Sequence, residues 1–533
     1  MKRFITFMAI AATFAGNAQQ LPSEFKDGFF VQNEDWFGHA NGSINWIGND
    51  GTIIYNVQTK ANPEAEVILG ATAQYGAIYG DKYFAMSKQG NVLAIFDAKT
   101  MTLKKTFSDI GDGRAFLGVS AQKGYVGTTN GVYSLNLETL EISQSIIDGT
   151  SDINGMMERI GNYVYATSKS GKIYIIDAET DAVVKNIENS NVSGLVVSRD
   201  GYIWANCVNS IIRIDPITLE TVETSVTNAM PSQWGAWKPD MLCASYTEDA
   251  LFYAWGGAWS QNKLGKLIIN EDGSVAEDTD FSFTMPAGIA ETNTQEFYGV
   301  ISVNPHNDCL QATTVQSGWG NNYTYNWVHQ IDPATGEVKH SYFPTNDDGN
   351  GYYWFPAMMV YPDNAEPSIK LGDINSAAEV LKFSKLDFVE DADNLSAKAI
   401  VAVEPTHTEY FVIENDGMNL TLLPRKNGSA DVTVKVNSNG KEVENTISVT
   451  ISNVGGVNQV VTSGKVYMNA TGRVLCFSGF EYGEACVYSL SGTNVAVVDL
   501  EQSKTLDMSS MPSGIYLVRI NVDGKYQTYK VAK

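Results

Sequence analysis

Tryptophan side chains are concentrated in stretches rich in glycine, asparagine and serine, a setting typical of loops rather than of a buried core. Eight of the ten Trp residues lie in or beside five such stretches. Aromatic planes beside amide side chains suit a flat or ring-shaped neutral ligand, such as a sugar, a corrin or a porphyrin. The predicted ligand-binding residues are Trp36, His39, Trp234, Trp237, Trp255, Trp259, Trp319 and Tyr323. The neighbouring amides that offer hydrogen bonds are Asn41, Asn262, Asn321 and Asn322. The alternative is that these rings only pack the loops together.

The same loops contain few groups suited to catalysis. The chain has five His, none of which belongs to a zinc-binding pair at helical spacing, and it contains no G-x-S-x-G elbow. Glu34, Asp35 and His39 are close enough in sequence for an acid/base cluster, but a hydrogen-bonded loop network is the favoured interpretation. We therefore predict a binding protein rather than an enzyme, with no catalytic residue, no metal site and no cofactor.

Composition limits the compartment and the partners. The 533 residues carry a net charge of −24, which excludes nucleic acid as an expected partner because like charges repel. Residues 1–18 have the pattern of a secretory signal peptide, with basic residues, an apolar run and small residues before a predicted cleavage site at Ala18. Cys476 and Cys486 flank a predicted hairpin turn, and the sequence leaves open whether they form a disulfide or remain free.

The aromatic loops are positioned by a repeat in which a strand ends in Asp or Asn and Thr follows three residues later. It occurs at Asp97, Asn136, Asp177, Asp215 and Asp332, and the first four are 39, 41 and 38 residues apart. A period of about 40 residues with four short strands per unit is typical of a β-propeller. The Asp and Thr are predicted to turn the chain between the third and fourth strands through side-chain-to-backbone hydrogen bonds.

Six complete units and two incomplete ones account for the propeller. Residues 29–62 supply the second, third and fourth strands of a blade, whereas residues 354–361 have the pattern of a first strand. Joining the two closes a seventh blade and removes the open sheet edges. The enlarged aromatic loops then emerge on one face of the ring, while Trp327 and Trp354 are interpreted as strand residues packed between blades. The prediction is an all-β chain with a seven-bladed β-propeller across residues 19–367.

Two smaller β domains are predicted after the propeller. Residues 368–455 alternate in the manner of a β-sandwich and resemble Ig-like or cadherin-like spacer modules. Residues 456–533 contain Ala485–Gly492, Met511–Val518 and Lys525–Val531 in an order that closely resembles the C-terminal sorting domain of type IX secretion substrates. That resemblance implies export through the periplasm, contact with the type IX secretion machinery, and removal of the domain when the protein is attached to the cell surface.

The opening Asn33-Glu-Asp-Trp-Phe-Gly-His39, together with the Asp-x-x-Thr strands, resembles the DUF5074 or YncE-like secreted propellers of Bacteroidetes. A branch of these propellers resembles the BtuG-type surface proteins, which capture cobalamin and pass it to a TonB-dependent transporter. The similarity to that branch is distant. It implies cobalamin as the first candidate ligand and an outer-membrane transporter as a candidate partner.

Two functions from different classes follow from these observations. The first is non-enzymatic capture of a small ring-shaped nutrient (cobalamin, haem or an oligosaccharide) on the aromatic loop face of a secreted or surface-exposed protein. The alternative is a protein-interaction propeller whose aromatic face docks to an outer-membrane transporter or another surface protein.

Overall fold

The computed structural model describes residues 21–36, 38–230, 234, 241–256, 261–289, 294–318, 320–343, 352–393, 395–452, 464–469, 471–480, 482–522 and 525–533. Three predicted ligand-binding residues, Trp237, Trp259 and Trp319, lie outside the described residues, as does the predicted signal peptide. The regular secondary structure of the described chain is almost entirely β-strand. Its strands are short runs of β-branched and aromatic residues bounded by glycine and asparagine turns.

Twelve strands and one short helix make up the first part of the ring. The N-terminal group is β1 (Gly28–Asn33), β2 (Ser43–Gly48), β3 (Ile53–Ile54) and α1 (Val57–Ala61). The first blade contains β4 (Ala71–Tyr79), β5 (Lys82–Gln89), β6 (Leu93–Asp97) and β7 (Leu103–Phe107). The second blade contains β8 (Gly113–Gly118), β9 (Lys123–Thr128), β10 (Gly131–Asn136) and β11 (Glu141–Ile146). The start of the third blade is β12 (Asn154–Ile160).

The remaining strands of the ring follow the same order. The third blade continues with β13 (Tyr163–Ser168), β14 (Lys172–Asp177) and β15 (Ala182–Glu188). The fourth contains β16 (Leu195–Val197), β17 (Ile203–Asn206), β18 (Ser210–Ile214) and β19 (Thr221–Ser225). The fifth contains β20 (Leu242–Ala244), β21 (Ala250–Trp255), β22 (Lys263–Ile269) and β23 (Val275–Glu277). The sixth contains β24 (Gln295–Val303), β25 (Leu310–Gln316), a 3₁₀ helix (Gly320–Thr324), β26 (Asn326–Ile331) and β27 (Val338–Tyr342), and β28 (Pro356–Val360) follows.

These strands form seven four-stranded antiparallel sheets, and the last sheet joins the two ends of the ring. Its strand order is β28-β1-β2-β3, with Phe30 opposite Val360 and Val31 opposite Met359. The predicted closure between the N-terminal strands and the 354–361 segment is therefore confirmed. Phe29, Val31 and Met359 of this closing blade pack with Val328 and Tyr342 of the sixth blade, so the closure is held by a buried apolar seam as well as by the ladder.

The Asp-x-x-Thr repeat turns the chain between the third and fourth strands, as predicted. The Oδ1 atom of Asp177 accepts hydrogen bonds from the Glu179 amide at 3.0 Å, the Thr180 amide at 2.8 Å and the Thr180 hydroxyl at 2.9 Å. Equivalent bonds to the amide three residues later are made by Asp97, Asn136, Asp215 and Asp332. One local side-chain turn thus fixes the same hairpin in five blades.

Two tryptophans predicted to pack between blades are buried, but only one lies in a strand. Trp327 belongs to β26 and stacks on Phe343 at 5.2 Å between ring centroids. Trp354 is 1 % exposed, stacks on Tyr55 and contacts Tyr352 at a tilt of 45°. It precedes β28, which begins at Pro356, so its prediction as a strand residue is wrong. The reason is local: Pro356 lacks an amide hydrogen, and Phe355 has a positive φ of 46°.

A β-sandwich follows the ring. Its strands are β29 (Ser368–Ile369), β30 (Ile374–Ser376), β31 (Leu381–Ser384), β32 (Val389–Glu390), β33 (Ile400–Glu404), β34 (Phe411–Asn415), β35 (Asn419–Pro424), β36 (Gly428–Ser438) and β37 (Lys441–Ile451). It also contains helix α2 (Lys385–Phe388) and a 3₁₀ helix (Ser396–Lys398). One sheet has the order β30-β37-β36-β33 and the other β31-β35-β34. Alternate residues of β36, Val432, Val434 and Val436, enter a core that also contains Phe411 and Leu422, which is the pattern of a half-buried strand.

The sandwich lies against the face of the ring where first strands turn into second strands. The Gly80 amide donates to the Asn439 carbonyl at 2.7 Å, and Lys398 forms an ion pair with Glu158 at 2.8 Å. Residues of the sandwich, together with the first strands of six blades, line an open cavity of about 280 Å³ at this end of the central channel. The opposite face carries the aromatic loops, so it is the end at which the channel is not covered by the sandwich.

The last part of the chain is a second β unit. Its strands are β38 (Lys465–Met468), β39 (Val474–Ser478), β40 (Glu484–Ser489), β41 (Asn494–Asp499), β42 (Thr505–Asp507), β43 (Ile515–Val522) and β44 (Lys525–Ala532). Cys476 and Cys486 are free thiols. They lie on β39 and β40, which belong to different sheets, so the predicted hairpin between them is wrong. No helix in the described part of the chain is long and apolar enough to span a membrane.

Candidate functional site

The loop that follows β1 positions Trp36 and His39. The amides of Glu34 and Asp35 donate to the carbonyls of Phe355 and Trp354 at 2.9 and 3.0 Å, so the pairing of β1 with β28 continues into the loop. The Ser43 hydroxyl donates to Asp35 at 2.7 Å, and Asp35 adopts a positive φ of 57° that reverses the chain. The next turn is closed by the His39 and Ala40 amides, which both donate to the Trp36 carbonyl at 2.9 Å.

This turn places three aromatic rings in a stack. The rings of Trp36 and His39 are 3.8 Å apart with an interplanar angle of 27°. The Tyr353 ring lies 4.5 Å from the Trp36 ring, between centroids, with an interplanar angle of 33°. Trp36 is 44 % exposed, an unusual position for a large aromatic side chain that contacts two other rings. The stack therefore presents an aromatic edge to solvent.

Aromatic contacts continue from this stack into the sixth blade. Tyr353 lies 6.0 Å from Phe355, which in turn contacts Tyr298 at 4.8 Å and Tyr323 at 5.5 Å. Tyr323 comes from the 3₁₀ helix of the sixth blade and Tyr298 from β24. We call this set the aromatic row; its members are His39, Trp36, Tyr353, Phe355, Tyr298 and Tyr323. The structure thus brings together three of the predicted ligand-binding residues, Trp36, His39 and Tyr323.

The other two described candidates are not part of this row. The Trp234 indole donates to the Val192 carbonyl at 2.8 Å, and a Cβ atom on Gly155 would lie 2.7 Å from its ring. Trp234 therefore packs over the third and fourth blades, across the channel from the sixth and closing blades. Trp255 ends β21 in the fifth blade, where the Lys263 ammonium lies 4.9 Å from its ring centroid.

The buried carboxylate of Glu34 is hydrogen-bonded to one member of the row, Tyr298. Glu34 is 9 % exposed and accepts hydrogen bonds from Gln74 at 2.7 Å and from Tyr298 at 2.9 Å. These two bonds connect the first, closing and sixth blades at the loop-face end of the channel. Burial raises the pKa of Tyr298 well above its usual value, and the adjacent Glu34 carboxylate raises it further, so the phenol remains a hydrogen-bond donor at neutral pH.

The predicted acid/base cluster is a set of loop contacts. Glu34 is held by Gln74 and Tyr298, and Asp35 by Ser43, whereas the His39 ring stacks on Trp36. Burial raises the pKa of Asp35 well above its usual value, and the hydrogen bond from Ser43 opposes that rise. Within the described residues, no three His, Cys, Asp or Glu side chains are grouped closely enough to hold a metal ion.

Among the four predicted amides, Asn321 is hydrogen-bonded to a member of the row and Asn322 to a side chain of β25. Asn321 accepts a hydrogen bond from the Tyr353 hydroxyl at 3.0 Å, and Asn322 accepts one from Gln316 at 2.7 Å. Asn41 and Asn262 are exposed. Three members of the row, Tyr298, Tyr353 and Phe355, are absent from the predicted set. The sequence signal for them is the density of aromatic residues near position 353. Tyr298 has no such signal, because it lies within a strand.

A closed ring of four-stranded antiparallel sheets around a channel defines the class of protein as a β-propeller. Residues 27–362 match the family described as a domain of unknown function, DUF5074, and the chain belongs to that family. Residues 465–533 match the secretion system C-terminal sorting domain. The protein is therefore exported, to the cell surface or beyond it, and engages the type IX secretion machinery.

The solved structures that the chain matches are distant in sequence. One is a quinonprotein alcohol dehydrogenase-like protein from Bacteroides thetaiotaomicron, with 14 % identity, 63 % of this chain and 79 % of that chain covered, and a TM-score of 0.47. Another is the extracellular domain of a one-component system from B. thetaiotaomicron, with 13 % identity, 78 % of this chain and 61 % of that chain covered, and a TM-score of 0.36. No curated protein sequence matches the chain.

Proposed function

We propose that the loop face of the propeller captures a small, ring-shaped nutrient outside the cell without transforming it chemically. The observation that carries this proposal is the aromatic row, which spans two adjacent blades and ends in the exposed, stacked indole of Trp36. Aromatic planes held by a rigid scaffold bind flat or ring-shaped ligands at little cost in side-chain entropy. Cobalamin, haem and an oligosaccharide are the candidate ligands.

The surroundings of the row support binding rather than catalysis. The two carboxylates that precede Trp36 in its loop, Glu34 and Asp35, are buried and already accept hydrogen bonds from neighbouring side chains. A general acid or base has to reach the substrate proton within hydrogen-bonding distance. In this arrangement the exposed groups are aromatic rings, which supply apolar contact and orientation.

The test is calorimetric titration of the full chain with cyanocobalamin, haemin and a panel of oligosaccharides. The ligand that binds should lose at least tenfold in affinity with Trp36→Ala, because one stacking contact contributes about 1.5 kcal/mol. Tyr467→Ala is the matched control, since it removes an equally exposed aromatic ring from the C-terminal unit. Failure of all three ligand classes, or equal affinities of the Trp36 and Tyr467 variants, would contradict the proposal.

A further inference from the structure

A cleft of about 190 Å³ opens between the ring and the sandwich, at the end of the channel opposite the aromatic loops. Its ring side consists of the first strands of three consecutive blades, β4, β8 and β12, and its sandwich side of the second 3₁₀ helix, β33 and β36. We call it the interface cleft. It adjoins the cavity of about 280 Å³ described above, with which it shares Ile78, Leu395 and Lys398.

Much of the wall of the interface cleft is apolar. Phe116 and Met157 are buried in it, whereas Leu117 and Ile400 remain partly exposed. Apolar walls with a small number of polar groups are typical of sites for small organic ligands. Because a water molecule takes up about 30 Å³ in the liquid, the cleft has room for a ligand of about six to eight non-hydrogen atoms.

The charged residues that line the interface cleft do not balance. Glu158 is the one carboxylate among the lining residues, and Lys398 donates to both of its oxygens, at 2.9 and 2.8 Å. The remaining charged residue of the lining is Arg159. The interface cleft therefore carries an excess positive charge in a chain whose net charge is −24.

The Arg159 guanidinium is held in place but incompletely used. Its Nε atom donates to the Gly161 carbonyl at 3.2 Å, whereas its two terminal nitrogens are accessible and have no partner in the described part of the chain. Burial lowers the pKa of Arg159, and Tyr79, Tyr125 and Asp177 offset that effect only in part. A partly desolvated cation without a counter-ion is unfavourable. A planar guanidinium binds a carboxylate through two parallel hydrogen bonds.

We propose that the interface cleft binds a small monocarboxylate with an apolar body. The ligand carboxylate pairs with the terminal nitrogens of Arg159, and its body lies against Phe116, Leu117 and Ile400. This site is separate from the aromatic row and does not depend on the proposed function. Because its walls belong to both the ring and the sandwich, a bound ligand also strengthens the contact between them.

The experiment is calorimetric titration of the full chain with sodium hexanoate, compared with 1-hexanol, hexylamine and adipate. Hexanoate should bind at least about tenfold more tightly than the alcohol or the amine, which lack the carboxylate. Adipate should also bind more weakly, because its second carboxylate would lie against the apolar wall. Saturating hexanoate should slow hydrogen exchange at the Gly80 amide, whose acceptor, the Asn439 carbonyl, belongs to a residue of the cleft lining.

Two variants test the role of the guanidinium. Arg159→Met should weaken hexanoate binding at least about tenfold, whereas Arg159→Lys keeps the charge and should retain part of the affinity. Arg213→Met is the matched control, because Arg213 lines another cleft between the ring and the sandwich, where its guanidinium lies 3.2 Å from the Tyr202 ring centroid. Hydrogen exchange at Gly80 in each unliganded variant shows whether the sandwich remains docked.

The outcomes are distinct from those of the loop-face titrations. No binding of hexanoate, equal binding of hexanoate and 1-hexanol, or equal affinities of the Arg159→Met and Arg213→Met variants would overturn the site. If Arg159→Met undocks the sandwich, the preference of the wild type for hexanoate over 1-hexanol and the affinity of Arg159→Lys decide. Trp36→Ala should leave hexanoate binding unchanged, so failure of the proposed function leaves this inference standing.

Discussion

The indole of Trp36 stacks on the imidazole of His39 with 3.8 Å between ring centroids, although the indole remains 44 % exposed. The stack depends on the turn in which the His39 amide donates to the Trp36 carbonyl, so the loop backbone orients both rings. A partly exposed ring contributes less to folding than a fully buried one and remains available to a ligand. Stability and binding should therefore respond differently when this ring is removed.

We predict that Trp36→Ala lowers the free energy of unfolding by about 2 kcal/mol, because Trp36 remains 44 % exposed and only part of its surface leaves water on folding. Trp354→Ala is the contrasting variant: Trp354 is 1 % exposed, and its loss should cost about 3–5 kcal/mol. Urea unfolding followed by far-ultraviolet circular dichroism gives both values. A Trp36→Ala variant as destabilised as the Trp354 variant would show that the stack holds the closing blade together.

The repeated Asx turns provide a second prediction. Asp177→Ala removes three hydrogen bonds from one hairpin and should cost about 1–2 kcal/mol. Asp177→Asn should be close to wild type, because Asn136 makes the equivalent turn in the second blade with an amide oxygen. The measurement is the urea midpoint of each variant. Equal losses in the Ala and Asn variants would mean that the charge, rather than the turn, is what stabilises this hairpin.

The repeat and the closure of the ring could be predicted because their signals are local. An Asp followed by Thr three residues later forms its turn within four residues, and a blade lacking a strand has to be completed elsewhere. The assembly of the aromatic row, in contrast, has no local sequence signal. Glu34 and Asp35 pair with Phe355 and Trp354 across most of the ring, and no local pattern in either segment specifies that register.

Trp234 is another residue whose environment the local sequence does not specify. Its loop has the composition of the other aromatic loops, yet its indole reaches the Val192 carbonyl and packs against Gly155. Whether a loop tryptophan faces a ligand or a neighbouring blade depends on the space that a distant glycine leaves. The local sequence also does not predict the β-bulges in β4 at Gln74 and in β8 at Arg114. A bulge is a property of two paired strands.

The contact between the ring and the sandwich gives a third prediction. A Cβ atom on Gly417 would lie 2.6 Å from the Gly161 Cα atom, so Gly417→Ala should displace the sandwich from the ring. The Gly80 amide, which donates to the Asn439 carbonyl, should then exchange its hydrogen at least tenfold faster. Hydrogen-exchange mass spectrometry of the peptide that contains Gly80 measures this rate.

The control for this experiment is Gly51→Ala. Gly51 has a φ of +85°, close to the +89° of Gly417, but a Cβ atom there would meet nothing within 4 Å. Both variants carry the backbone strain of a side chain at positive φ, and only Gly417→Ala adds the clash. Unchanged exchange at Gly80 in the Gly417 variant would indicate that the two units do not need this close approach to remain docked.

His329 gives a prediction on pH. Its ring is fully buried in the sixth blade and contacts Thr314 at 3.0 Å, Gln295 at 2.7 Å and Ser341 at 2.8 Å. Burial lowers its pKa to about 4, below the value of about 6.5 for an unfolded chain. The unfolded state therefore binds more protons between these values, and the stability that neutral His329 contributes is present above about pH 6.5 and lost as the pH falls toward 4.

The expected contribution is about 3 kcal/mol over this interval, since each pKa unit corresponds to about 1.4 kcal/mol. His329→Gln removes the titrating group while keeping hydrogen-bonding capacity, so its free energy of unfolding should decrease less than that of the wild type between pH 7 and pH 4.5. Carboxylates titrate in both proteins, and the difference between the two slopes isolates His329. Parallel slopes would mean that His329 binds its proton equally well in the folded and unfolded chain.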